Sequence, residues 1–209
     1  APPRSPHPSA LPESRRPGCG IEMAPEAEWG GVKAKYELPD EYVLYLGRVS
    51  KAKVDKLLPY FLRCKAKYGG DAKLVLVGGF ENEIRKFDSP DILFTGYVSD
   101  EEKTAIVRHA TVMVNPSPME SLSLLMLEGM QSRIPLLVNG RSKVMKDHCR
   151  LSGAGLWYNN GRDFRKKLHR LLSDPELRRT MSEKGPAYVR EHYDWEIIIP
   201  KLRTLIESI

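Results

Sequence analysis

Beyond residue 41 the apolar positions fall into two alternating patterns. Six short runs are dense in Val, Leu, Ile or Tyr: residues 42–47, 74–79, 92–97, 111–116, 135–140 and 155–158. Each stops at or beside a Gly, Pro or Asn. Several are continuously apolar, the pattern of strands covered on both faces. Between them lie segments of helical period. Residues 53–68 put Val54, Leu57, Leu58, Phe61 and Leu62 on one face. Residues 99–110 open with Ser99-Asp100-Glu101-Glu102, a capping-box signature. Residues 121–133 are apolar nearly all round, and 142–151, 163–172 and 176–192 follow. Residues 195–209 are helical in pattern but contain Pro200, which predicts a kink or break.

This alternation predicts an α/β fold: a Rossmann-like parallel sheet of about six strands with helices on both faces. In such sheets ligands bind beyond the carboxyl ends of the strands. The tips to inspect are therefore Gly47-Arg48, Gly78-Gly79, Gly96-Tyr97-Val98, Asn115-Pro116-Ser117 and Asn139-Gly140-Arg141. Residues 1–20 hold six of the 16 prolines and read as an extended arm or linker. The expected division is an arm over 1–20, the Rossmann-like domain over 21–192, and a C-terminal crossover helix over 193–209.

Composition narrows the function classes. At 209 residues, with 41% hydrophobic and 29% charged, the chain has the makings of a globular core. Its longest charge-free stretch is 11 residues, as in 151–161, whereas a membrane span needs about 20 apolar residues. The Pro-rich start lacks the apolar core of a secretory signal. The formal charge of +6 raises nucleic acid or anionic surfaces as partners. The densest basic stretches, 51–67 and 162–170, alternate with apolar residues and read as solvated helix faces. With no aromatic-interleaved basic groove, no nucleic-acid partner is expected. Cys19, Cys64 and Cys149 are too few and too scattered for a disulfide framework or a metal site. A reducing, cytoplasmic setting is expected. The chain begins at Ala1 rather than Met and is expected to be a fragment.

The segment 115–140, NPSPMESLSLLMLEGMQSRIPLLVNG, carries the most chemistry. A strand ends at Asn115-Pro116, a loop holds Ser117 to Glu120, and a helix is expected from Ser121 or Leu122. Its first free N–H groups, from about Leu122 to Leu124, would make an anion site at the strand tips. Glu128 lies one turn beyond Leu124 among Leu125, Met126, Leu127 and Met130. A buried carboxylate there needs donors. Sugar hydroxyls would serve, as would local backbone N–H groups. Glu120 stands at capping-box spacing from Ser117 and could simply cap the helix.

Glu120 and Glu128 also form an E-x7-E pair. It resembles the motif of family 4 retaining glycosyltransferases, enzymes of two Rossmann-like domains (the GT-B fold). Other segments match in order. Residues 42–48 (YVLYLGR) look like the first strand of that family's C-terminal domain, 73–78 (KLVLVG) like its second, and 94–99 (FTGYVS) like the strand and turn before the next helix. Residues 116–121 (PSPMES) and 135–141 (PLLVNGR) follow, and Pro17-Gly18-Cys19-Gly20-Ile21 resembles the interdomain segment upstream. The similarity spans roughly residues 17–209.

The resemblance implies a nucleotide-sugar donor and hexosyl transfer with retention. Glu128 would hold ribose hydroxyls. Glu120 would lie beside the donor sugar, and backbone N–H groups of Leu122, Ser123 and Leu124 would bind the diphosphate, with Gly47, Ser117 and Ser121 at the same tips. Arg48 would neutralise the distal phosphate. The base would rest on Tyr97 and Val98. One departure stands out. The family's phosphate-binding Lys position is occupied by Ala52, so Lys51 or Lys53 would substitute, with Lys51 favoured as nearer the strand tip. No metal and no cofactor are expected. The acceptor, and any peripheral membrane contact, would belong to an N-terminal domain absent from this chain. The isolated chain is expected to be inactive or weakly active. A non-catalytic nucleotide-sugar-binding module is the alternative. A nicotinamide enzyme is disfavoured because no G-x-G-x-x-G follows a strand.

Overall fold

The computed structural model describes residues 20–81 and 89–207. The arm expected over 1–20 and the Pro17-Gly18-Cys19 match therefore lie almost wholly outside the described residues.

Six strands form one parallel sheet: β1 (Tyr42–Leu46), β2 (Lys73–Val77), β3 (Ile92–Gly96), β4 (Val112–Asn115), β5 (Leu136–Asn139) and β6 (Gly155–Tyr158). Their order is β3-β2-β1-β4-β5-β6, so the order in which strands are added reverses between β1 and β4. That switch point opens a crevice at the strands' carboxyl ends. The central strands are buried along their length, β1 at all five positions, as their unalternating sequence requires.

Successive strand residues feed two cores. Tyr42, Leu44, Leu46, Val75, Val77, Met113, Leu136 and Val138 face one side. There they meet α1 (Trp29–Lys35), α4 (Asp100–Arg108), α5 (Leu124–Gln131), α6 (Lys143–Ser152) and part of α8 (Pro175–Tyr193). Val43, Tyr45, Leu74, Leu76, Val112, Val114 and Leu137 face the other side, against α2 (Lys51–Val54), α3 (Leu57–Tyr68) and α7 (Gly161–Ser173).

Three local outcomes differ from the sequence pattern. Residues 53–68 are not one helix; α2 and α3 are separate, with Val54 and Leu57 both buried. α5 starts at Leu124, after an extended Ser123, rather than at Ser121 or Leu122. α9 (Trp195–Glu207) runs through Pro200 without a break. Pro200 is the sixth residue of that helix, so its missing N–H leaves the Glu196 carbonyl without its i+4 donor, a loss that an exposed helix can make good with water. Of the apolar residues on α9, Ile198 is buried, while Trp195, Ile197 and Ile199 stay partly open.

Candidate functional site

The crevice at the switch point is a cleft of about 280 Å³. Its walls are the β1 tip (Tyr45, Leu46, Gly47, Arg48), Lys53 of α2, the β4 tip with its loop (Asn115, Pro116, Ser117, Glu120), and the start of α5 (Leu122 to Leu125). Residues from two distant parts of the sequence, 45–53 and 115–125, thus meet around one opening.

Hydrogen bonds fix the walls. Gly47 has φ near 130°, a conformation open to glycine and strained for other residues. The Tyr45 hydroxyl donates to the Arg48 carbonyl at 3.0 Å, closing the turn beneath Arg48. Burial, and then the charge of Glu120, push the Tyr45 phenol up to about 12, so it stays a donor. Gly78 must be glycine: φ is near 129°, and a Cβ would sit 2.3 Å from the Gly47 carbonyl oxygen. The β1 and β2 tips therefore lie side by side.

Two asparagines that sequence reasoning placed at strand tips without a role hold the acidic loop. Asn115 Oδ1 accepts from the Ser117 N–H at 3.0 Å, and its Nδ2 donates to Ser123 Oγ at 3.1 Å. Asn139 Nδ2 donates to the Pro116 carbonyl at 2.9 Å. An Asn following an apolar strand run was the available signal. Ser117 is buried, and its hydroxyl donates to the Met119 carbonyl, so it shapes the loop.

The start of α5 leaves donors free. The N–H groups of Met126 and Leu127 both reach the Ser123 carbonyl. Those of Leu124 and Leu125 have no partner among the described residues, and both residues line the cleft. With the helix dipole behind them they favour an anion. Glu120 does not cap this helix, since Ser123 is the N-cap. Its carboxylate makes no hydrogen bond or ion pair among the described residues. Arg48 and Lys53 likewise have no carboxylate partner there.

Lys53, not Lys51, lines the cleft. Two residues apart on a helix means about 200° around its axis, so one of the pair faces away when the other faces in. Buried Val54 sets the rotation of α2. Lys51 is exposed, and its N–H donates to Glu81 Oε2 at 3.2 Å. Ser121 is exposed and outside the cleft lining.

Glu128 and the 97–98 turn are not among the cleft walls, and Glu128 lies on the side of α5 that faces α4. Glu128 Oε1 accepts a long hydrogen bond from Lys103 Nζ at 3.4 Å; the same ammonium is 3.4 Å from Asp100. Glu128 Oε2 is buried and has no partner among the described residues. Gly129 next to it lets α5 settle onto β4, for a Cβ there would be 2.7 Å from Met113 Sδ. Tyr97 is 86% exposed, its ring lying over Gly79, while Val98 packs on the core. Among the described residues, no three His, Cys, Asp or Glu side chains converge as metal ligands. No described helix is long and apolar enough to cross a membrane.

The sequence model of the family described as "Glycosyl transferases group 1" matches residues 32–188. The chain is 30% identical over 174 residues to an alpha-D-kanosaminyltransferase of Streptomyces kanamyceticus, covering 77% of this chain and 44% of that protein. It spans between 36% and 44% of the length of three curated relatives that it matches. Its fold is similar to sucrose-phosphate synthase from Thermosynechococcus elongatus, with a TM-score of 0.71 at 22% identity over 91% of this chain and 51% of that one. It is also similar to the C-terminal domain of a glycosyl transferase group 1 family protein from Francisella tularensis, with a TM-score of 0.67 at 18% identity over 83% of this chain and 96% of that one. The ordered strand tips, the cleft and the matched segment lead to one family, and this chain belongs to the group 1 glycosyl transferases.

Proposed function

We propose that the chain is the nucleotide-sugar donor-binding half of a retaining, family 4 glycosyltransferase, acting with an acceptor-binding domain on a longer protein. The observation that carries this reading is the buried, unpartnered Oε2 of Glu128. It sits on the same helix whose first N–H groups open into a cleft with Arg48 and Lys53. An acceptor oxygen kept dry without a donor destabilises the apo chain. A vicinal diol supplies the O–H donors that it lacks, and a ribose carries one.

In this reading the diphosphate lies at the N–H groups of Leu124 and Leu125, with Arg48 and Lys53 balancing its charge. Both cations are free to meet the negative charge that develops on the departing nucleoside diphosphate. Glu120, also unpaired, faces the donor sugar across the cleft and stabilises positive charge at its anomeric carbon. The helix terminus and two cations suffice to hold a diphosphate, so no metal is invoked. The free, buried thiols of Cys64 and Cys149 suit a reducing, cytoplasmic setting.

Glu128→Ala separates a ligand-binding role from a structural one. Nucleoside diphosphate affinity should fall by about 10- to 100-fold, the worth of hydrogen bonds to a charged group. The melting temperature of the apo variant should change little, because removal of the orphaned Oε2 offsets loss of the long contact from Lys103 to Oε1. Unchanged affinity together with a lower melting temperature would make Glu128 a structural partner of Lys103 and defeat the proposal.

A further inference from the structure

The two basic stretches that lie a hundred residues apart in sequence meet in the fold, away from the donor cleft. α3 and α7 run side by side in the same direction. Gly161 lies against Tyr60, Cys64 Sγ is 3.6 Å from the Arg165 carbonyl, and Tyr68 stacks on His169 with ring centroids 4.0 Å apart. Each contact advances four residues on both helices, so the two stay in step turn by turn.

Their outward faces are cationic. Arg63 and Lys67 on α3, and Arg162, Lys166 and Arg170 on α7, are all exposed, and Arg165 is half-buried between them. Lys67, Tyr68, Arg162, Arg165 and Lys166 line an open hollow of about 370 Å³. None of these six cations has a carboxylate partner among the described residues. Asp163, the nearest acid on α7, is held by Lys167 at 3.0 Å. Unrelieved like charges repel one another, and a matching anionic surface relieves them.

We propose that this face docks on an anionic lipid surface. The array extends well beyond a point site: the eight steps from Arg162 to Arg170 span about 12 Å of helix. Base stacking needs a free aromatic face. Tyr68 has His169 stacked on it and the Lys67 ammonium 5.1 Å from its ring centre, which argues against single-stranded nucleic acid. No large apolar side chain is exposed on either helix, so attachment is electrostatic and reversible, as for a polybasic segment at a charged leaflet. Peripheral membrane contact then belongs to this chain itself and not only to an acceptor-binding partner domain.

The test is co-sedimentation of the whole chain with vesicles of phosphatidylcholine, alone or with about 30 mol % phosphatidylserine, at low and at about 0.5 M salt. The chain should bind the anionic vesicles only and come off at high salt. Lys67→Ala/Arg162→Ala/Lys166→Ala should lower partitioning on the order of a hundredfold, at about fivefold per cation. Lys143→Ala/Lys184→Ala/Arg190→Ala, which removes three exposed cations from α6 and α8, should leave most of it. Melting temperatures of both triple variants verify that they fold. Equal loss in the two variants reduces the effect to net charge and overturns the proposal, as does an absence of binding to anionic vesicles. Tighter binding of a single-stranded oligonucleotide, lost in the first variant, would assign the face to nucleic acid instead.

Discussion

Lys51 and Lys53 show how much a single residue's place on a helix decides. Both stand directly beside Ala52, which occupies the family's Lys position, and proximity to the strand tip favours Lys51. Rotation about α2 points the other way: with Val54 buried, Lys53 and not Lys51 lines the cleft. We expect Lys53→Ala to weaken nucleoside diphosphate binding about tenfold, as befits one charge-assisted contact, and Lys51→Ala to change it less than twofold. Calorimetric titration of both variants decides, and the reverse order would give the phosphate role to Lys51. Other residue-scale features could be read from the chain. Arg48, Glu120 and Glu128 stand out as charged groups at strand tips or on an apolar helix. That Glu128 leaves one oxygen unpaired could not be read, because it depends on Lys103, 25 residues away, reaching only the other oxygen. Nor could the asparagine clamps on the acidic loop, which join residues 8 and 23 positions apart.

At the scale of elements, α4 is where sequence and structure agree most closely, because its signal is local. The Ser99 hydroxyl accepts from the Glu102 N–H at 3.2 Å, and Glu102 Oε2 accepts from the Ser99 N–H at 3.0 Å. Glu102 also receives Lys35 Nζ at 2.6 Å and the Tyr36 hydroxyl at 2.9 Å. Lys35 first, and then the Ser99 N–H, draw its carboxyl from the ordinary 4.5 down to about 2. A depressed carboxyl stabilises the fold above its unfolded pKa, and that contribution is lost as pH falls through the folded value. Stability should therefore decline between about pH 4.5 and pH 2. Glu102→Gln should flatten that part of the profile at a cost near 1 kcal/mol at neutral pH. Equal acid slopes for both proteins in thermal melts would remove Glu102 from the account. α1 shows the opposite case. Its Trp-Gly-Gly start has poor helix propensity, and no periodic pattern marks it. Glu28 caps the Gly30 and Gly31 N–H groups, and Trp29 stacks on His109 at 3.9 Å. Tertiary contact makes that helix, so the sequence pattern is silent. The start of α5 is a mixed case: its apolar run is plain, but the extended Ser123 that delays it is held by Asn115.

Across the whole molecule, the sheet and its two helical layers were legible because buried parallel strands must be continuously apolar and crossovers must be helical. The edges of the molecule were less so. α9 commits only Ile198 fully to the interior, and Trp195 rests on Gly20. A helix so lightly buried opens locally at low cost. Hydrogen exchange should show α9 amides exchanging at least about tenfold faster than those of β1. Equal protection would mean that α9 is an integral part of the core. The meeting of α3 and α7 into one cationic face was likewise invisible along the chain, since each stretch alone reads as an ordinary solvated helix.

The central claim is that the switch-point cleft receives a nucleoside diphosphate. Backbone amide NMR of the chain titrated with UDP, GDP and ADP tests it most directly. The account predicts saturable shifts for at least one of them, concentrated at Gly47, Arg48, Leu124 and Leu125, with Tyr97 and Val98 following where the base rests. Amides at these positions that stay unmoved with all three nucleotides at millimolar concentration would contradict it.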